Sequence, residues 1–279
     1  MNSVVEAKVV EAKGARIPVV GLGTMTLKGD ACVSAVSAAL KQGYHHLDTA
    51  ERYGNEIEVG EGLRASGVDR GQVFVTTKVY WDKLAPADFE RSFEESLQKL
   101  KLPWVDLLLI HWPNPKVPLA DTMRVLCGAK KDGRAKHIGV ANFTVPLIEE
   151  AVRLTTEPLV TNQIEVHPFL DQSKVIAACR RHGLSITAYC PLARGKVPGD
   201  PTLARIGKAH RKSASQTALR YLTQLGMVVI PRSGNPQRIG ENLAILDFTL
   251  NPGEMAEIAA LARPDGRVVD PPHAPKWDH

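Results

Sequence analysis

The chain of 279 residues has little of what marks a secreted, membrane-bound or multi-part protein. No apolar run approaches the ~20 residues needed to span a bilayer. The opening MNSVVEAKVVEAKGARIP alternates short apolar pairs with charges. It lacks the apolar region of a secretory signal, so a cytoplasmic protein is expected. Cysteines are four, Cys32, Cys127, Cys179 and Cys190, and no two form a C-x-x-C pair. Each lies in an apolar stretch, which reads as a buried reduced thiol and does not suit a structural zinc site. No stretch is rich in Ser, Gly and Pro together, and no charge run or compositional shift marks a linker. Residues 1–279 are therefore expected to form one domain. The net charge of +5, from 35 basic and 30 acidic residues, is mild. Two basic clusters, Lys130–Lys136 and Arg205–Lys212, fit exposed helix faces and lack the interleaved aromatics of a nucleic-acid groove. A small anionic ligand accounts for the charge better.

What is present is alternation. Apolar runs at Val19–Gly23, His45–Asp48, Val73–Lys78, Val105–His111, His137–Ala141, Val160–Glu165, Ser185–Tyr189 and Met227–Pro231 read as strands. Stretches with helical spacing separate them. Val145–Leu154 follows Thr144 as an N-cap, and Pro236–Ile245 follows Asn235 with proline at the first helical position. Eight βα units imply parallel strands with helical crossovers. At this length they fit an α/β (β/α)8 TIM barrel, although alternation alone also allows an open doubly wound sheet. The open sheet would want G-x-G-x-x-G after its first strand. Gly21-Leu22-Gly23 starts that pattern, but position 26 is Thr26. Lys8–Val10 and Arg16–Pro18, either side of Gly14, read as an N-terminal hairpin closing the barrel floor.

In such barrels the chemistry sits at the C-terminal strand ends. Read in order, those ends give Thr24 and Met25, Asp48 with Tyr53, Lys78, His111, Asn142, Gln163, Tyr189, then Arg232 and Ser233. A carboxylate, a phenol, an amine and an imidazole from neighbouring ends make a proton-donating site. A phenol with reference pKa ~10 donates slowly at neutrality unless a cation stabilises its anion. Lys78, held by Asp48, is the expected cation. Taken singly, Asp48 could cap the next helix, Tyr53 could be an ordinary loop aromatic, Lys78 could snorkel, and His111 could be a core histidine. Together they favour catalysis. The eighth strand leads into IPRSGNPQR, where a helix N-terminus with Arg232 and Arg238 suits a phosphate monoester. Tyr189 could stack on a flat ring, and Tyr80 and Trp112 could wall a substrate pocket, with Trp81 a nearby aromatic for which core packing is the reading.

These residues resemble the aldo-keto reductase family. GLGT, LDTAERYGNE, TTK, DLLLIHWP, GVANF, NQIEVHP, IPRS and GEN occur in order along the chain. NQIEVHPFL and the tail PPHAPKWD resemble its bacterial 2,5-diketo-D-gluconate reductase group, whose members also reduce small aldehydes, including methylglyoxal. The resemblance implies an enzyme, usually a monomer, that uses NADPH/NADP+ to reduce a small carbonyl substrate without a metal. It assigns Tyr53 as general acid, His111 as the group orienting the carbonyl, and Lys78 with Asp48 as the pair lowering the phenol pKa. Asn142 and Gln163 would hold the nicotinamide amide, with Tyr189 stacked on its ring and Thr24 and Leu192 beside the cofactor. Arg232, Ser233 and Arg238 would grip the 2′-phosphate and ribose, and Glu241 and Asn242 would meet the adenine. Met25, Tyr80, His111 and Trp112 would contact substrate. The loops Asn114–Pro118 and Leu192–Pro201, with the tail from Arg263 and its Trp277, would shape specificity. The chain departs from the usual pattern in Ala141 for Ser, Arg232 for Lys, and Met25 for an aromatic. These changes leave relative use of NADH and pocket width open.

Two other readings use the same residues. A metal-dependent barrel hydrolase could draw on His45, His46, Asp48, His111 and His167. But His45 and Asp48 face opposite ways on one regular strand, and Lys78 and Tyr53 would have no task. A non-catalytic NADP(H)-sensing module on the same fold is countered by the intact four-residue constellation.

Overall fold

The computed structural model describes residues 8–278. A short antiparallel hairpin, β1 (Val9–Ala12) and β2 (Ala15–Pro18), comes first. Its turn is Lys13-Gly14, with φ of 46° and 87°. Two consecutive positive φ values are the signature of a type I′ turn, whose twist matches paired strands. The first seven residues of the segment read as a floor plug lie outside the described residues.

Eight parallel strands follow, β3 (Leu22–Gly23), β4 (His46–Asp48), β5 (Phe74–Val79), β6 (Val105–Ile110), β7 (Ala135–Ala141), β8 (Leu159–Glu165), β9 (Ser185–Tyr189) and β10 (Val228–Val229), and pair in chain order. The ends of this sheet meet. Val20 bridges Val229 and Gly23 bridges Arg232, both parallel, and Gly21 N donates to Val229 O at 2.9 Å. Closure removes the sheet edge and decides for the barrel over the open sheet. Helices α1 (Gly29–Lys41), α2 (Glu56–Ser66), α3 (Pro86–Leu100), α4 (Leu119–Lys131), α5 (Val145–Leu154), α6 (Ser173–Arg181), α7 (Pro201–Ala209), α8 (Ala214–Gln224), α9 (Pro236–Leu243) and α10 (Pro252–Ala259) surround it. None among the described residues is long and apolar enough to cross a membrane.

The eight expected strands are present, some a few residues shorter or longer than read. Two helices, α7 and α10, were not expected. Both are short and begin at proline, and each buries a few apolar side chains in a satellite core with Leu250 and Val197. Thr144 occupies the N-cap of α5 but its side chain caps nothing. The free Val145 N–H instead donates to Asp278 Oδ2 at 2.8 Å, from the far end of the chain.

Packing is layered. Outward-facing strand residues join the helices in the main core, while Ala12, Ala15 and Ile17 of the hairpin pack against inward-facing Phe74, Leu107, Val160 and Val228. The hairpin thus closes the floor and leaves the opposite end open. The glycines of GLG serve this closure. A Cβ on Gly21 would lie 2.7 Å from the His46 ring, and one on Gly23 would lie 2.7 Å from Ile230 O across the barrel seam.

His46 fills the barrel interior, with Nε2 3.1 Å from Thr76 Oγ1 and its ring edge-on to Phe74. Burial pulls its pKa down to about 4. An unfolded histidine binds its proton near 6.5. The unfolded chain therefore gains protons first as pH falls. His46 contributes stability above about pH 6.5 that is lost as pH drops toward 4, by up to about 3 kcal/mol. Urea unfolding at stepped pH should show this decline, and His46→Gln should flatten it.

Candidate active site

The open end of the barrel holds a cavity of about 1190 Å³. Its lining includes every residue proposed for the site except Lys78, which is completely buried beneath it.

The local fold explains the placement. At the end of β4 the chain turns through a single helical turn, Glu51–Tyr53, ended by Gly54 at φ 57°. Asn55, wholly buried, braces that turn. Its Nδ2 donates to Thr24 O at 2.8 Å and Leu27 O at 3.0 Å, and its Oδ1 accepts from Thr49 Oγ1 at 2.9 Å. Lys28 Nζ donates to the carbonyls of Tyr53 and Gly54. Glu56 Oε1 accepts from Thr77 Oγ1 at 2.6 Å and ties α2 to β5. Asn55, Thr49, Lys28 and Glu56 hold Tyr53 in place and were missed as supports. Asn55 and Glu56 lie in the quoted YGNE run, where a buried polar pair is the signal.

Lys78 points inward from β5. Its Nζ donates to Asp48 Oδ1 at 2.6 Å and Thr49 O at 2.8 Å, and lies 5.1 Å from the centre of the Tyr53 ring. Asp48 Oδ2 accepts from Gln163 Nε2 at 2.8 Å. Asp48 therefore caps no helix; it joins β4, β5 and β8. Burial draws the Lys78 ammonium below its ordinary value, opposed by the Asp48 charge and hydrogen bond. Tyr53 and His111 stand edge to face with ring centres 5.6 Å apart. Burial first, then the charges of Lys78, His273 and Arg52, hold His111 well below its ordinary value, so its imidazole is neutral.

Tyr53 departs from expectation. Burial, then Asp48 and Cys190, push its hydroxyl well above the ordinary phenol range. Loss of water around the phenol is the largest cause, and the nearby Asp48 charge works in the same direction. The hydroxyl stays protonated through neutrality and is stocked as a donor.

The other strand ends form a connected platform. Tyr189 Oη donates to Asn142 Oδ1 at 2.7 Å, and Asn142 Nδ2 donates to His111 O at 2.9 Å. Asn142, Cys190, Ala193 and Arg194 adopt positive φ without being glycine, and three of these four face the cavity. Such strain gathers where surrounding structure over-determines a site. At the far end lie Arg232, Ser233, Arg238, Glu241 and Asn242. Two of the backbone N–H groups expected to be free there are occupied. Asn235 Oδ1 accepts from Gln237 N and Arg238 N at 2.9 and 3.2 Å. An anion at this end would be held by side chains within the field of the α9 dipole. Arg232 Nε also donates to Met25 O at 3.3 Å. Amide groups and a flat phenol ring near Tyr53, with guanidinium groups at the opposite end, fit a nicotinamide dinucleotide.

The five candidate metal ligands do not converge. His45 Nδ1 bonds Gln72 O and His167 Nε2 bonds Glu165. No group of three His, Cys, Asp or Glu among the described residues could hold a metal.

The profile of the Aldo/keto reductase family matches residues 19–263. The chain belongs to that family. It is an oxidoreductase, and the family acts on small carbonyl substrates with nicotinamide cofactors. The chain is 41% identical to the methylglyoxal reductase DkgB of Escherichia coli O157:H7, over 94% of this chain and 99% of that one. A crystal structure provisionally assigned as a 2,5-diketo-D-gluconic acid reductase B superposes with TM-score 0.95 at 46% identity, covering 97% of both chains. A Bombyx mori aldo-keto reductase in complex with NADP superposes at 0.88 with 37% identity, covering 95% and 96%.

In this reductase the tail closes one side of the cavity through Val269 and Pro271. Trp81 does not line the cavity; it stacks on His273 at 4.9 Å. Trp277 stands edge-on to Trp112 and under Arg267. The anchor is Glu165, wholly buried, whose carboxylate accepts from Val268 N at 2.6 Å, Val269 N at 3.0 Å and pairs with His167. Glu165 was not marked as functional, although it lies two residues from Gln163 and so on the same strand face. Glu165→Gln should loosen the clasp, since hydrogen bonds to a charged group contribute about 1.5–3 kcal/mol. Limited proteolysis should cut within residues 263–278 about tenfold faster or more, with the barrel intact.

Proposed function

We propose that this reductase carries out reversible, NADPH-dependent reduction of aldehydes and ketones to alcohols, with Tyr53 as general acid. The observation that carries the reading is one cavity in which the Tyr53 and His111 rings stand together above a buried Lys78–Asp48 pair, with two arginines at its far end. The nicotinamide supplies the hydride when bound. Asn142 and Gln163 would hold its amide, and Tyr189 would lie on its ring. Thr24 and Leu192 complete that wall. Arg232, Ser233 and Arg238 would take the 2′-phosphate and ribose, with Glu241 and Asn242 at the adenine.

The chain's own chemistry is proton delivery. His111, being neutral, can offer an N–H to the carbonyl oxygen without carrying charge into the site. As negative charge grows on that oxygen, Tyr53 Oη gives up its proton. A phenol too weak to ionise unaided still donates to an alkoxide, a far stronger base. Phenolate charge forming beside the Tyr53 ring is then stabilised by the Lys78 ammonium, which needs no reorganisation because Asp48 and Thr49 already fix it. Met25, Tyr80 and Trp112 wall the substrate. Methylglyoxal and 2,5-diketo-D-gluconate, named for the relatives, fit this reading, as do other small aldehydes.

Tyr53→Phe should lower kcat for aldehyde reduction by 10²–10⁴ or more while NADPH binding, read by fluorescence titration, changes little. Equal turnover would remove Tyr53 from its role. Arg238→Ala should weaken NADPH by about tenfold and NADH far less, because a charged hydrogen bond to phosphate is lost only with the former. Equal loss for both would place the 2′-phosphate elsewhere.

A further inference from the structure

Arg52 is the cation in the quoted LDTAERYGNE run to which the mechanism gives no task. It precedes Tyr53 on the same helical turn and lines the cavity. Its guanidinium lies 5.3 Å from the centre of the Tyr80 ring, and Tyr80 in turn stands edge-on to His111 at 5.4 Å. Three neighbours therefore run in series across the substrate end: the imidazole that meets the carbonyl oxygen, an aromatic wall, and a charge.

That charge has no carboxylate in contact with it. No carboxylate lies within 4.0 Å of Arg52 among the described residues, whereas Arg134, Arg181 and Arg205 each hold one. Glu51 and Asp82 share its neighbourhood without pairing to it. Asp48, the acid nearest the reacting oxygen, is neutralised by Lys78. The lining is basic elsewhere too, with Lys28, Arg194, Arg232 and Arg238 against Glu241, which accepts from Gln237 Nε2. A guanidinium fork left free on an aromatic face, beside a reactive carbonyl position, suits the two oxygens of a carboxylate.

We infer that Arg52 is a specificity-determining residue that selects carbonyl substrates bearing a carboxylate, binding that carboxylate while Tyr53 and His111 hold the carbonyl. This rests on the carbonyl-reductase reading. It separates this chain from a reductase tuned only to neutral aldehydes, because a neutral substrate leaves the guanidinium without a partner.

The test compares 4-carboxybenzaldehyde with its neutral methyl ester, methyl 4-formylbenzoate, following NADPH oxidation. The wild-type enzyme should show the higher kcat/KM for the carboxylate. Arg52→Gln should lower the carboxylate-to-ester ratio of kcat/KM about tenfold, the change lying mainly in KM, and Arg52→Lys should retain part of it. Arg52 is exposed, so both variants should fold. A ratio within twofold of wild type in Arg52→Gln, or a wild-type preference for the ester, would overturn the assignment. Failure of the reductase reading looks different: neither aldehyde would then be reduced by the wild-type protein.

Discussion

Lys78 and Asp48 meet at 2.6 Å with neither side chain reached by solvent. A buried ion pair is a poor source of stability, because desolvating two charges offsets most of their attraction. Here both partners make a further hydrogen bond. The ammonium also serves Thr49 O, and the second carboxylate oxygen takes the Gln163 amide. Its value lies in what it fixes. Three strands are locked in register at the cavity floor, and a positive charge is held under a phenol with no water to screen it. The two effects have one origin, since burial that makes the charge effective also makes its geometry strict.

The same burial sets the states of the two groups above. Tyr53 is driven toward its protonated form and His111 toward its neutral form. An acid that will not ionise and a base that will not charge are inert toward water, yet both are ready for a carbonyl. Selectivity for a developing alkoxide is then a property of the surroundings of these groups as much as of the groups themselves.

Much of this was legible in the chain. The βα alternation, with the failed G-x-G-x-x-G at Thr26, pointed to the barrel, and counting strand ends placed Asp48, Lys78, His111, Asn142, Gln163 and Tyr189 at one face. Local pattern suffices there because strand direction and side-chain alternation are local facts. What escaped depended on distant partners or on environment. Thr144 holds the cap position, but Pro146 at N2 offers no N–H and the Thr144 side chain accepts no capping hydrogen bond, while the Val145 N–H finds Asp278, 133 residues away. Asn235 was read correctly as a cap, yet its consequence for the N–H groups beside Arg238 was not. The phenol shift was misjudged because charges can be read from sequence whereas loss of water cannot. Helices α7 and α10 escaped because neither belongs to the βα alternation: α7 lies between β9 and α8, and α10 follows α9.

The barrel seam and the tail clasp carry one more consequence, for the order in which the molecule is made. Val19 and Val229 bond across the seam, and Glu165 awaits Val268 and Val269. These pairings join segments about a hundred or more positions apart, so each carries a loop-closure cost above that of the contacts within one βα unit. A chain emerging from the ribosome can lay down successive βα units as it goes. It cannot complete the wall of its catalytic chamber until Val268 and Val269 have reached Glu165, so the cavity is among the last features to take shape.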